Sequence, residues 1–104
     1  MDSINDPNHL RRVLEISHRS NNQSLVLTIL VRIAEWLDDS GDKKTATELV
    51  VFTLEYPLSG RTRARAEELY LQLEAEVCPR VLADAHTLAN ERTLDDMVAV
   101  LLTQ

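Results

Sequence analysis

The sequence predicts an all-α protein of five to six antiparallel helices in one domain. Its 104 residues include only 2 Gly and 3 Pro, whereas β-sandwiches and barrels need many tight turns, which are usually built with Gly, Pro and Asn. Apolar residues recur at spacings of three and four along most of the chain, as they do on amphipathic helices. A chain of this length supports one modest core and leaves little room for a second domain.

The first predicted helix begins at Asp6-Pro7, because Asp caps free N–H groups and Pro suits the first helical position. Its apolar stripe is Leu10, Val13 and Leu14. The polar run that follows contains Asn21-Asn22, and Asn tolerates a left-handed backbone. This pair therefore predicts a turn.

The second predicted helix runs from about Ser24 to Asp38 or Ser40 and is apolar nearly all round. A helix of that kind is enclosed by neighbours on several sides. Gly41 follows in the position where helices commonly end with a left-handed residue. We therefore expect the chain to reverse at Gly41.

The third predicted helix runs from about Lys43 to Tyr56. Its β-branched pair Val50-Val51 leaves a strand as the alternative. Helix is favoured because no turn signal interrupts the segment for about fourteen residues. Pro57 ends the helix and opens the next loop.

Three further helices complete the predicted fold. The fourth runs from about Thr62 to Val77, and the fifth from Pro79 to about Asn90. Thr93 caps the sixth, since its hydroxyl can accept from the N–H three residues on. Asp96 then supplies the acidic member of a capping box.

The hairpin made by the second and third helices resembles the tetratricopeptide repeat. The small residues Ala34 and Ala46 and the turn residue Gly41 match that repeat in kind. Three larger positions depart from it, with Leu30, Leu37 and Val50 where Trp, Tyr and Phe are usual, and Pro57 falls about one position early. Ala34 and Leu37 recur 32 residues later as Ala66 and Leu69. The resemblance implies a second repeat that begins at Thr62.

The C-terminal part looks like the end of the helical-repeat regions of bacterial signal-transduction ATPases and repeat-containing transcription regulators. The segments that carry this likeness are Arg61 to Leu69, Leu73 to Glu76 and Thr93 to Val98. Asn90-Glu91-Arg92 departs from the family, which usually has Gly-Arg there. The likeness covers about Leu25 to Leu102 and implies a sensor, scaffold or autoinhibitory end without the nucleotide-binding module.

The resemblance divides the predicted domain into four segments. An N-terminal helix and turn cover residues 1–23, the best repeat covers 24–57, a second hairpin covers 58–90, and a capping helix covers 91–104. Helical repeats need neighbours to cover their faces, and three is the usual minimum. With about two repeats, we expect the chain to cap itself with its first and last helices, to dimerise, or to end a longer array.

The charge balance excludes two classes of partner. With 11 Lys+Arg against 17 Asp+Glu the net charge is −6, so we expect no nucleic acid and no anionic membrane as a partner. The N-terminus lacks the pattern of a secretory signal peptide, and the apolar stretch from Leu25 to Leu37 is too short and too polar to span a bilayer. A single cysteine fits a reducing cytoplasm.

The sequence shows no constellation for catalysis, a cofactor or a metal. Its two glycines, Gly41 and Gly60, begin no phosphate loop. The histidines are not spaced by three or four residues and are interpreted as solvated. Cys78 is interpreted as a small buried apolar residue, which is the usual place of a lone cysteine. We therefore expect a protein that is not an enzyme.

Eight residues are candidates for partner binding. In the tetratricopeptide-like interpretation Thr28, Val31, Glu35 and Asp38 line a groove suited to a positively charged peptide or helix. Trp36 is either a core residue or an interface anchor. The three remaining candidates lie at the start of the fourth helix, where basic residues oppose the helix dipole; they are Arg61, Arg63 and Arg65.

The arginine run has two interpretations. It is a docking patch for an acidic partner or a phosphate, or a solvated face that Glu67 and Glu68 partly neutralise. A second basic patch forms if the first two helices pair, and its members are Arg11, Arg12, Arg19 and Arg32.

The sequence therefore favours a protein-interaction module, regulatory or scaffolding, that binds a peptide or helix of a partner protein or of a larger assembly in a bacterial cytoplasm. The alternative is a homodimeric helical bundle that serves as a structural element.

Overall fold

The computed structural model describes residues 7–102, and within them the chain forms six α-helices and no β-strand. The all-α prediction is therefore confirmed, whereas the predicted cap Asp6 lies outside the described residues. The helices are α1 (Pro7–Arg19), α2 (Gln23–Asp39), α3 (Lys43–Leu54), α4 (Gly60–Glu76), α5 (Pro79–Glu91) and α6 (Leu94–Leu102).

The two turns that flank α2 have the same structure, in which a left-handed residue is followed by a residue that caps the next helix. Asn21 and Gly41 have φ values of 56° and 93°, so each preceding helix ends in a left-handed residue. The next residues, Asn22 and Asp42, each accept a hydrogen bond from the N–H three residues on, at 3.2 Å. Each turn therefore ends one helix and caps the following one within two residues. The turns predicted at Asn21-Asn22 and Gly41 are confirmed, and the structure adds the caps Asn22 and Asp42.

The capping box predicted before α6 is confirmed. The Thr93 hydroxyl accepts from the backbone N–H of Asp96 at 3.1 Å, and the Asp96 carboxylate accepts from the N–H of Thr93 at 3.2 Å. Two otherwise unsatisfied donors are thereby paired. The bonds define where α6 begins.

Helix α3 is the centre of the fold, since α2, α4 and α5 all pack against it. Its buried residues point in every direction around the helix: Ala46, Thr47, Leu49, Val50, Val51, Phe52 and Thr53. The two buried threonines donate their hydroxyls to backbone carbonyls of their own helix, at 2.7 and 2.9 Å. The polar groups inside the core are therefore satisfied.

Small residues lie where the helices pack. Ala34, Ala46, Ala66 and Ala85 are all completely buried, and α2 makes its largest contact with α3. Within residues 58–90 the packing is different, because α5 lies mainly on α3 and approaches α4 less closely. The rings of Tyr70 and His86, 6.3 Å apart, span that wider gap.

The first and last helices meet at the edge of the core. Helix α1 packs on both α2 and α6, and His18 Nε2 lies 2.7 Å from an Asp95 carboxylate oxygen. Leu10 and Leu14 of α1 and Met97 and Val98 of α6 are buried in the core. Contact between the terminal helices thus accompanies burial of apolar side chains from both.

The interpretation of Cys78 as a buried apolar residue is wrong. It lies between α4 and α5, directly before Pro79, and is exposed. The chain must leave α4 before Pro79, so Cys78 adopts an extended backbone at the surface. Among residues 7–102, no helix has the length and apolarity needed to cross a bilayer.

The close packing around Ala46 is testable by overpacking. We expect Ala46→Leu to lower the free energy of unfolding by about 1–3 kcal/mol, because three added carbons have no free volume. The matched control is Ala64→Leu on the exposed face of α4, where we expect a change within about 0.5 kcal/mol. Urea denaturation measures both, and equal stability of the two variants would contradict tight packing at Ala46.

The left-handed turn at Gly41 is testable with a second pair. Gly41→Ala should destabilise the protein by about 1 kcal/mol, because its φ of 93° is strained for any residue with a Cβ. Gly60 begins α4, and a Cβ there meets no atom within 4 Å. Gly60→Ala should therefore be neutral or stabilise by up to about 1 kcal/mol. Thermal unfolding checks the pair, and a stabilising Gly41→Ala would contradict the turn geometry.

Candidate functional site

Helices α2 and α4 lie side by side and run in the same direction. Near their N-terminal ends the hydroxyls of Thr28 and Thr62 are 3.1 Å apart, and further along both helices Glu35 meets Arg65. The contacts thus advance along the two helices together, while α3 packs against both. The surface between α2 and α4 is a cleft, which we call the α2–α4 cleft.

A bidentate ion pair crosses this cleft. Arg65 donates through Nε to Glu35 Oε2 at 3.1 Å and through Nη2 to Oε1 at 2.7 Å. These hydrogen bonds raise the pKa of Arg65 above its usual value. The side chains are 42% and 29% exposed, so the pair is partly shielded from water. Two parallel hydrogen bonds also constrain the relative position of the helices.

The larger cavity of the cleft has a volume of about 310 Å³. Trp36, half-buried, and Leu69, almost fully buried, supply its apolar wall. The remaining lining side chains carry four carboxylates and one guanidinium: Glu35, Asp38, Asp39, Arg65, Glu68 and Gln72. We call this part the acidic cavity.

Only some of those carboxylates are available to a ligand. Asp38 accepts a hydrogen bond from Lys43, whose ammonium also bonds Glu76 at 2.8 Å. The hydrogen bond to Asp38, followed by that to Glu76, raises the pKa of Lys43 well above its ordinary value. By contrast, Asp39 and Glu68 are exposed and form no hydrogen bond within residues 7–102, although the charge of Glu68 contributes to the raised pKa of Arg65. These two carboxylates define the charge that the acidic cavity presents.

A smaller cavity of about 50 Å³ lies on the other side of Arg65. Its lining combines three arginines with two threonines and one buried valine: Thr28, Val31, Arg32, Arg61, Thr62 and Arg65. We call it the arginine cavity. Arg65 lines both cavities, so the cleft is continuous and its charge changes sign along its length.

Seven of the eight predicted partner-binding residues line these cavities. Glu35, Trp36, Asp38 and Arg65 line the acidic cavity, and Thr28, Val31 and Arg61 the arginine cavity. Two of the seven have little exposed surface: Val31 is 1% exposed, and the Asp38 side chain is 12% exposed and bonded to Lys43.

Arg63 lines neither cavity and instead bonds Glu67 at 3.3 Å. That contact matches the solvated interpretation of the arginine run at this one position. At Arg61 and Arg65 the run instead borders the cleft.

Sequence reasoning missed the α4 side of the acidic cavity. Glu68, Leu69 and Gln72 follow Arg61 and Arg65 at helical spacing on the face of α4 that borders the cleft. Helical spacing alone does not identify this face as part of the cleft, because that also requires knowing that α4 lies beside α2 and runs in the same direction. Arg32 was expected to join arginines of α1, but it borders the cleft with Arg61 instead.

The two cavities are lined by charged, hydroxyl, amide and apolar side chains. Neither cavity is lined by a histidine or a cysteine. Among the described side chains, no group of three or more His, Cys, Asp or Glu is placed to hold a metal ion. What the cleft offers is one aromatic ring, exposed carboxylates at one end and guanidinium groups at the other.

The ion pair across the cleft is testable by a double-mutant cycle. For Glu35→Gln and Arg65→Gln we expect a coupling free energy of roughly 1 kcal/mol, the upper range for pairs that retain some exposure. The matched pair Arg63→Gln and Glu67→Gln lies within one helix and should couple by only roughly 0.3–0.5 kcal/mol. Urea denaturation of all variants measures both, and a larger coupling for the second pair would contradict the role of Glu35 and Arg65.

Comparisons with protein-family models, with curated proteins and with solved structures found no match. The resemblance to tetratricopeptide repeats therefore stays a prediction.

Proposed function

We propose that this chain is a non-enzymatic protein-interaction module, regulatory or scaffolding, that binds a positively charged segment of a partner protein in the α2–α4 cleft. The observation that carries the proposal is the acidic cavity, in which Trp36 lies beside the exposed carboxylates of Asp39 and Glu68. Lysine and arginine side chains match such a lining.

The apolar and charged parts of the cavity have different roles in this proposal. The stem of a lysine or arginine packs on Trp36, and its charged head pairs with Asp39 or Glu68. Tryptophan is enriched among residues that dominate binding energy. The carboxylates raise the association rate and select against acidic partners. The net charge of −6 attracts basic segments over a longer range.

The volume of the cavity limits what it accommodates. About 310 Å³ is at the small end of ligand pockets. It takes one or two side chains of an extended segment or of a helix, with the rest of the segment lying over the cleft. A cytoplasmic location belongs to the same proposal, because the exposed thiol of Cys78 fits a reducing compartment.

The only tryptophan of the chain makes the proposal directly testable. A synthetic nonapeptide of alternating Lys and Ala should change the fluorescence of Trp36, whereas the Glu/Ala counterpart should not. Asp39→Asn combined with Glu68→Gln should weaken binding about tenfold, the sum of two partly exposed ion pairs. The matched control is Glu74→Gln combined with Asp84→Asn, which removes two exposed carboxylates outside the cavity.

The control separates cleft binding from general attraction between opposite charges. A change of less than about twofold is expected for the control variant. Equal weakening in both double variants, or no response of Trp36 to the basic peptide, would refute binding in the acidic cavity.

Sedimentation of the wild type addresses the homodimer alternative. The exposed large apolar side chains within residues 7–102 lie on four different helices and are Ile16, Leu25, Leu71, which is 63% exposed, and Val100. Exposed apolar residues on separate elements are ordinary in a monomer. No specific feature therefore favours the homodimer. A dimer at micromolar concentration that dissociates in Leu71→Lys would replace the present proposal with that alternative.

A further inference from the structure

The arginine cavity is a concentration of positive charge in an acidic protein. Arg32, Arg61 and Arg65 line one cavity of about 50 Å³, although the whole chain has a net charge of −6. Within residues 7–102, Glu35 forms the ion pair with Arg65, and the charge of Glu68 also acts on Arg65. Within residues 7–102, Arg32 and Arg61 form no ion pair or hydrogen bond. Two uncompensated guanidinium groups therefore remain at this end of the cleft.

The hydroxyl groups of the cavity are already occupied. Ser59 donates to Thr62 Oγ1 at 3.0 Å, and Thr28 donates to the Ser24 carbonyl at 3.0 Å. The 3.1 Å contact between Thr62 and Thr28 is then donated by Thr62. These bonds tie α2 to α4. They leave the guanidinium N–H groups as the donors that are free for a ligand.

The volume and the donors together select the ligand. The cavity of about 50 Å³ is small, and its size suits one small oxyanion. Guanidinium forks match phosphate oxygens geometrically and bind them through charge-assisted hydrogen bonds. A phosphate monoester presents three acceptor oxygens and a charge near −2 at neutral pH. That charge equals the uncompensated charge of Arg32 and Arg61.

We infer that Arg32, Arg61 and Arg65 bind the phosphate of a phosphorylated serine or threonine on the partner segment. This inference rests on the proposed function, because the same segment reaches the acidic cavity. The arginine that belongs to both cavities, Arg65, makes the two sites neighbours. The partner is thus a phosphopeptide that also carries a basic residue.

The geometry of α2 sets the spacing of that peptide. Arg32 and Asp39 are seven residues apart on one helix, which corresponds to about 10 Å along its axis. An extended peptide spans that distance in about three residues. The phosphorylated residue and the Lys or Arg are therefore about three positions apart in the partner.

The test uses synthetic heptapeptides in a Gly/Ala background with phosphoserine and lysine three positions apart, in both orders. Fluorescence of Trp36 and titration calorimetry follow binding to the full chain at low salt. At least one order should bind about tenfold tighter than its unphosphorylated counterpart. Arg32→Gln combined with Arg61→Gln should remove that preference, while Arg63→Gln combined with Arg80→Gln, an equal change of charge outside the cavity, should retain it.

The outcomes separate this inference from the proposed function. If the unphosphorylated peptide binds and phosphorylation adds less than twofold, the phosphate site is refuted and the basic-segment proposal stands. If both double-arginine variants lose the preference equally, general attraction explains it and the site is refuted. If inorganic phosphate binds as tightly as the phosphopeptide, the ligand is a free anion and the phosphopeptide assignment is overturned. If Asp39→Asn combined with Glu68→Gln abolishes the binding of every peptide, and no peptide binds the wild type more tightly when phosphorylated, the phosphate inference is refuted. The proposal of a basic segment in the acidic cavity then stands.

Discussion

The enclosure of α3 is the constraint on which the rest of the structure depends. Ala46, Thr47 and Phe52 are fully buried on different sides of this helix, so α3 must be covered by α2, α4 and α5 together. A short helix of twelve residues offers limited length for three neighbours. Burial of apolar surface on all of its sides therefore determines where those neighbours lie.

The cleft is a consequence of that enclosure. Because α2 and α4 both pack on α3, they lie beside each other in the same direction, and the bidentate pair of Glu35 and Arg65 forms between them. Arginines then gather on one side of this pair and exposed carboxylates on the other. A surface with opposite charges at its two ends discriminates between partners by the order of their charges as well as by their total charge.

The terminal helices complete the core by packing on each other. Here α1 covers one part of α2 and packs on α6, so Leu14 and Val98 are both buried. The chain thereby covers its own core while the α2–α4 cleft remains open to solvent.

The amino-acid sequence by itself determined the helices and placed their ends within about two residues, because these depend on local signals: the left-handed residues Asn21 and Gly41, the Thr93–Asp96 capping box and the prolines. It also indicated seven of the thirteen residues that line the cleft, five of them on α2. Only the tertiary structure decided that Glu68 and Arg32 join them, that Arg63 does not, and that Cys78 is exposed. Those outcomes depend on how α2 and α4 lie against α3, and packing between helices distant in sequence is not encoded in helical periodicity.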